Sequence, residues 1–177
     1  YHDLAEDPEG IREVFFGDWF LRAAVNDGFP LNTVISTGNL RKAFGQNPRC
    51  LAGSILVTPV PRSAAVAQML LAHLAAGNGV LLYGPTAQAD AAILSALQIR
   101  NEQPLAGEMA FRLTIEGDLL SEETSPATII HDALASGGGI TSVPAADDYG
   151  STDIVVMVSQ GSEKRVAALR RRDPAWN

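Results

Sequence analysis

A chain of 177 residues, 46% hydrophobic and 19% charged, is long enough to bury a sizeable core and too apolar to stay disordered. Thirteen Lys and Arg against 20 Asp and Glu leave a formal charge of -7, which disfavours nucleic acid and anionic membranes as partners. The single cysteine, Cys50, excludes a disulfide framework, a zinc ribbon or a CxxC redox motif within the chain.

No apolar run reaches the ~18 residues of a membrane-crossing helix, and no signal peptide is visible. With so little cysteine, a reducing, cytoplasmic setting is expected. The chain opens on YHDLAEDPEG without Met and closes on DPAWN. A domain cut from a longer polypeptide is therefore expected, with the other domains of that polypeptide, or a second copy, as its partners.

Asp7-Pro8-Glu9 is a good helix start, with Pro in the first turn and acid near the positive end of the dipole. Val14, Phe15, Trp19, Leu21, Ala24 and Val25 follow at helical spacing, and Gly28 closes the segment. The run FFGDWF puts Phe15, Phe16, Trp19 and Phe20 on this helix, more aromatic surface than one buried stripe requires. Core packing is the simpler reading, and an interface with a neighbouring domain is the alternative.

LNTVIS then reads as a short strand, and TGNLRKAFGQNPRC as a loop with one helical turn. SILVTPVP is a continuous apolar run ended by two prolines, which predicts a central strand buried on both faces. Ser63 is placed to cap AAVAQMLLAHLAA, where Val66, Met69, Leu70, His73 and Leu74 form an apolar face before Gly77. GVLLYG is a second buried strand and QADAAILSALQI a helix. Such alternation calls for a mostly parallel sheet with helices on its faces.

After Ile99 the texture becomes β-rich. EMAFRLTIEGD, ATIIH, GGITSV and TDIVVMVSQ read as strands, while SPATIIHDALAS is ambiguous between strand and helix. Ile154–Gln160 and the segment ending at Arg171 are expected to pair as a hairpin across the four-residue turn GSEK. Arg170, Arg171 and Arg172 read as a solvated strand end. The expected organisation is one domain, with an α/β core over 1–108 and a β-rich elaboration over 109–177.

The strand-to-helix turn LLYGPT lies where α/β proteins bind phosphate or place a nucleophile. A P-loop needs Lys and Ser or Thr after its glycines, and the dinucleotide fingerprint needs three glycines. Gly84 stands alone, and Pro85 removes an amide that would cradle an anion. A nucleophile elbow needs Ser or Cys between glycines, so Thr86 reads as a helix cap instead.

Other hydroxyl, thiol and imidazole groups are no better placed. Cys50 and Ser54 precede a strand rather than follow one, and Cys50 reads as a small buried hydrophobe. His2, His73 and His131 have no second ligand at metal spacing, so no metal site is expected and His73 reads as a core histidine. The carboxylate pairs Glu6-Asp7, Glu122-Glu123 and Asp147-Asp148 read as solvated surface. Glu108 lies just outside an expected strand end, where surface duty is the simpler reading and chemistry the alternative.

GFPLNTVIST, LAGSILVTPVPRSAAVAQMLLAHLAAGNGVLLYGP and LSALQIRNEQPLAGE form an ordered set over residues 25–108. This set resembles the glutamine-amidotransferase-like, flavodoxin-like domains that follow the catalytic barrel in some bacterial glycoside hydrolases, of which the β-galactosidase trimerisation domain is a relative. The resemblance implies a three-layer α/β sandwich. Class I amidotransferases use an elbow Cys with a His-Glu pair towards the domain's end. This chain has no cysteine beyond residue 50 and no His-x-Glu in its tail.

What the resemblance implies is thus a non-catalytic accessory or oligomerisation domain of a carbohydrate-active enzyme, without catalytic residues or cofactor. The alternative is a sugar- or small-molecule-binding module. Pro59, Pro61, Tyr83, Gly84 and Thr86 would line its crevice at the carboxyl ends of the strands, with Glu108 nearby. A Ser- or Thr-dependent hydrolase is a third, weaker reading.

Overall fold

A computed structural model describes residues 22–28, 33, 35–105, 107–114, 129–133, 140–144 and 152–176. The aromatic run Phe15 to Phe20, His2 and the three carboxylate pairs lie outside them. The chain is mixed α/β and divides into two compact units, one up to Gly84 joined by the last residues from Ala175, the other from Pro85 to Pro174.

In the first unit, residues 22–26 are helical, and Gly28 follows with φ 87°. The expected strand LNTVIS is not seen at Thr33, Ile35 or Ser36, the members of it that are described. Ser36 instead caps helix α1 (Thr37–Gln46), its hydroxyl accepting from the Asn39 amide at 3.2 Å. Sequence reading allowed this stretch one helical turn; Gly38, Gly45 and sparse apolar residues hide a full helix there.

Strand β1 (Ile55–Pro59), helix α2 (Ala64–Ala75) and strand β2 (Gly79–Tyr83) form a β-α-β unit. Its strands pair in parallel, from Ile55 opposite Gly79 to Pro59 opposite Tyr83. Helix α2 buries Ala67, Leu70 and His73 and packs against β2 and α1. Ser63 holds the capping position without a side-chain bond, and Gly77 ends the helix at φ 79°.

The expected central strand, buried on both faces, is corrected. Among the described residues β1 and β2 pair only with each other, and Ile55 and Leu81 are 67% and 42% exposed. Their apolar runs report strand propensity; neighbours on each side are a tertiary property.

The second unit opens with helix α3 (Ala91–Leu97), shorter than the apolar pattern indicated. Asp90, not Thr86, caps it by accepting from the Ala92 amide at 2.9 Å. Gln98 ends it in the left-handed conformation without help from glycine. Strand β3 (Ile99–Leu105) follows and pairs antiparallel with β6 (Ile140–Pro144). Its polar sequence and Pro104 conceal it from sequence reading, and its register slips between Asn101 and Leu105, where Pro104 has no N–H to donate.

The remaining strands run in the order β5 (Ile129–Ala133), β4 (Gly107–Leu113), β7 (Thr152–Gln160) and β8 (Glu163–Arg171), all antiparallel. The ambiguous SPATIIHDALAS thus contributes a strand. The hairpin is present, but its connection has two residues rather than four. Gln160 pairs with Glu163 around Gly161-Ser162, and Gly161 at φ 60° supplies the positive φ of a II′ turn. Leu105, Met109 and Val158 form the buried core of this unit, with Phe111 packed against it.

Candidate functional site at the strand ends

Because β1 and β2 are parallel, their carboxyl ends lie side by side. Pro59 and Tyr83 are register partners on one sheet face, and the Val60 amide extends the ladder by donating to the Tyr83 carbonyl at 2.9 Å. Pro61 is buried. Gly84 turns the chain at φ 96°, a conformation strained for any residue with a Cβ. Tyr83 is half-buried, and this burial holds its hydroxyl above the ordinary tyrosine value. Four of the six expected lining residues therefore share one place in the first unit.

Thr86 and Glu108 belong to the second unit. The Thr86 hydroxyl donates to the Asn101 side-chain oxygen at 2.9 Å, and the Asn101 amide donates back to the Thr86 carbonyl at 2.9 Å. This reciprocal pair ties the turn before α3 to strand β3 and employs the hydroxyl as structure. Glu108 lies within β4 rather than outside a strand end, exposed and opposite Asp132 in register. Its carbonyl accepts weakly from the Gln160 amide at 3.4 Å.

The polar chemistry of the first unit gathers at the opposite, amino ends of β1 and β2. The His73 ring is 1% exposed, its Nε2 3.3 Å from the Ser54 carbonyl and its plane edge-on to Phe44 with centroids 5.8 Å apart. Asn78 joins three pieces of chain there. Its side-chain oxygen accepts from the Gly53 amide at 2.7 Å, and its own amide donates to the His73 carbonyl at 3.1 Å. The Ser54 hydroxyl donates to the Leu51 carbonyl at 2.6 Å.

Each of these hydrogen bonds joins a side chain to the backbone, so the cluster ties α2 and the start of β2 to the turn before β1. Sequence reading missed Asn78; its position between two glycines after a helix was the available signal. Cys50, expected to be buried, is exposed, because it sits in the turn before β1 rather than in a strand.

The arginine run is also corrected. The Arg171 side chain is only 5% exposed and donates to the Thr152 hydroxyl at 2.8 Å, while Arg170 and Arg172 both pair with Asp153. Alternation along β8 turns the middle arginine inward.

Burial holds His73 below the ordinary imidazole value, outweighing the backbone groups of Ser54 and Gly79 that favour its charged form. A lowered folded pKa means that the unfolded chain takes up the proton first. Stability is then full above about pH 6.5 and falls as pH drops from there towards the folded value. Urea unfolding at about pH 7 and about pH 5 is expected to show a larger loss for the parent chain than for His73→Gln. Equal losses would show that His73 does not carry this linkage.

Among the described residues, no three His, Cys, Asp or Glu side chains come together as a metal site, and no helix is long and apolar enough to cross a membrane. Comparison with protein-family models, curated proteins and solved structures finds no match to this chain.

Proposed function

We propose that this chain is a non-catalytic accessory or oligomerisation domain of a larger carbohydrate-active enzyme, with a flavodoxin-like first half. The observation that carries the non-catalytic reading is the use of the hydroxyl best placed for chemistry. Thr86, the nearest one after the β2 strand end, is bonded on both sides to Asn101. Within the first unit, the buried His73 imidazole takes the Ser54 carbonyl as partner, a backbone group and not a nucleophile. The glycoside-hydrolase association comes from the resemblance over residues 25–108.

The test is turnover by the purified 177-residue chain on aryl glycosides and on glutamine, with its mass measured by light scattering. Neither substrate is expected to turn over. Hydrolysis of either one, lost in Thr86→Val but not in a surface variant, would overturn the reading.

The second reading, a sugar-binding module, is favoured by Tyr83 and Pro59 standing as partners at the strand ends, a half-buried aromatic beside an apolar ring. Saturable binding of an oligosaccharide that is lost in Tyr83→Ala would put this reading first.

A further inference from the structure

We infer that the buried guanidinium of Arg171, at the open end of the β7–β8 hairpin, is a binding site for a small carboxylate acid, which docks in place of the Asp173 side chain. Arg171 ends β8 opposite Thr152, the first residue of β7, so the site lies at the end of the hairpin away from its turn. The Arg171 side chain is turned inward and 5% exposed. Alternation sends Arg170 and Arg172 to the other face of the strand, where both hold Asp153.

A buried cation has to recover the hydration it loses, through hydrogen bonds and an opposite charge. Among the described residues two arginines, Arg165 and Arg171, keep a buried Nε without a hydrogen-bond partner. They differ in what their other nitrogens find. Arg165 places its Nη atoms on the Glu163 carboxylate and on the carbonyls of Lys164 and Gln103. Arg171 has a neutral acceptor, the Thr152 hydroxyl, which takes Nη1 at 2.8 Å. The carboxylate beside it, Asp173, stands 3.8 Å from Nη2, beyond hydrogen-bond distance. Of the two buried cations, Arg171 is the one without a hydrogen-bonded anion.

Its unused donors share one edge. Nε and Nη2 of a guanidinium present parallel N–H bonds, a fork that matches the two oxygens of a carboxylate. The Thr152 hydroxyl, on the remaining nitrogen, holds the plane of that fork. Charge fits as well as shape. Arg170, Arg171 and Arg172 meet two carboxylates among the described residues here, Asp153 and Asp173, which leaves one positive charge in excess. A monovalent carboxylate cancels it, with two oxygens for two donors. Phosphate brings more oxygens than the edge has donors and more charge than one cation cancels.

Nε is covered, so a ligand needs a way in, and Asp173 supplies it. Its side chain is 32% exposed, and its Oδ2 is near the fork without closing on it. As Asp173 turns towards water, the ligand's carboxylate takes the edge. The Asp173 side chain is thus a built-in competitor. This inference goes beyond the accessory-domain reading and does not depend on it.

The experiment titrates the full 177-residue chain with acetate and follows the Arg171 Nε–H resonance by nitrogen–proton correlation NMR, assigned through its loss in Arg171→Lys. Saturable downfield movement is expected, with the resonances of the exposed Arg100 and Arg172 in place. Arg171→Lys, followed by its backbone amides, is expected to bind acetate at least about tenfold more weakly, because an ammonium lacks the parallel donors. Asp173→Asn changes a part-exposed side chain and keeps its size. It is expected to tighten binding about fivefold, the effect of removing a like charge ~4 Å away in water. Inorganic phosphate at equal ionic strength is expected to leave the resonance where it is.

Four outcomes would overturn the inference. The first is an Arg171 Nε–H that acetate does not move in the folded chain. The second is a linear drift shared by all arginines, the mark of an adventitious ion only. The third is movement with phosphate as large as with acetate. The fourth is a resonance that shifts on Asp173→Asn alone and then ignores acetate, which would make Asp173 the permanent partner. Glycoside turnover would overturn the accessory reading without touching this one.

Discussion

Truncating Met109 to Ala is expected to destabilise the second unit by ~2–5 kcal/mol, the cost of removing a fully buried thioether stem and leaving a cavity. Met109 is among the most buried side chains and shares its cluster with Leu105 at the end of β3 and Val158 in β7. The three belong to different strands, so collapse of the cavity requires strands to shift. Surrounding structure of that kind relaxes little, which places the effect towards the upper part of the range. Urea-induced unfolding followed by circular dichroism measures it. A loss below about 1 kcal/mol would show that the side chain is not packed as described.

Arg165→Ala is expected to cost about 3 kcal/mol, and the reason lies in carbonyl groups more than in charge. The guanidinium donates to the Gln103 carbonyl at 2.9 Å and to the Lys164 carbonyl at 2.9 Å. The Gln103 carbonyl lies in the stretch where Pro104 and the register slip interrupt the β3–β6 ladder, and Arg165 supplies a donor there.

The ion pair with Glu163, at 3.1 Å, contributes far less because the Glu163 side chain is 64% exposed. Glu163→Gln is therefore expected to change stability by less than about 1 kcal/mol. Arg165→Met, which keeps the apolar stem without the charge, should fall between the two. Equal losses for Glu163→Gln and Arg165→Ala would show that the pair, not the carbonyl bonds, holds β8 to β3. Hydrogen exchange along β3 gives an independent reading of the same attachment.

Chain turns at glycine and apolar strands were legible from the sequence, whereas the caps at Ser36 and Asp90 and the exposure of Cys50 were not. Gly28, Gly77 and Gly84 were expected to end or turn elements, and each takes a positive φ. The apolar runs at Ile55 and Gly79 are strands, and the helix between them makes their pairing parallel through a short crossover. The β-rich texture after Ile99 is the antiparallel half of the molecule. Helix α1 and strand β3 were hidden for complementary reasons. The former is poor in apolar residues, and the latter is polar and interrupted by proline, so that tertiary pairing overrides weak local preference.

The candidate site divides along the same line. Pro59, Pro61, Tyr83 and Gly84 could be placed from sequence because strand ends and turns are local features, and the parallel register then sets Pro59 beside Tyr83. That Thr86 serves Asn101, that Asn78 joins Gly53 to His73, and that Arg171 points inward while its neighbours hold Asp153 were decided only in three dimensions. Each depends on bonds between residues 5 to 25 positions apart. Sequence by itself determined where glycines turn the chain and where apolar runs extend it, because those preferences reside in single side chains and short runs. Only the tertiary structure decided which polar groups find partners, because a hydrogen bond depends on where two distant segments meet.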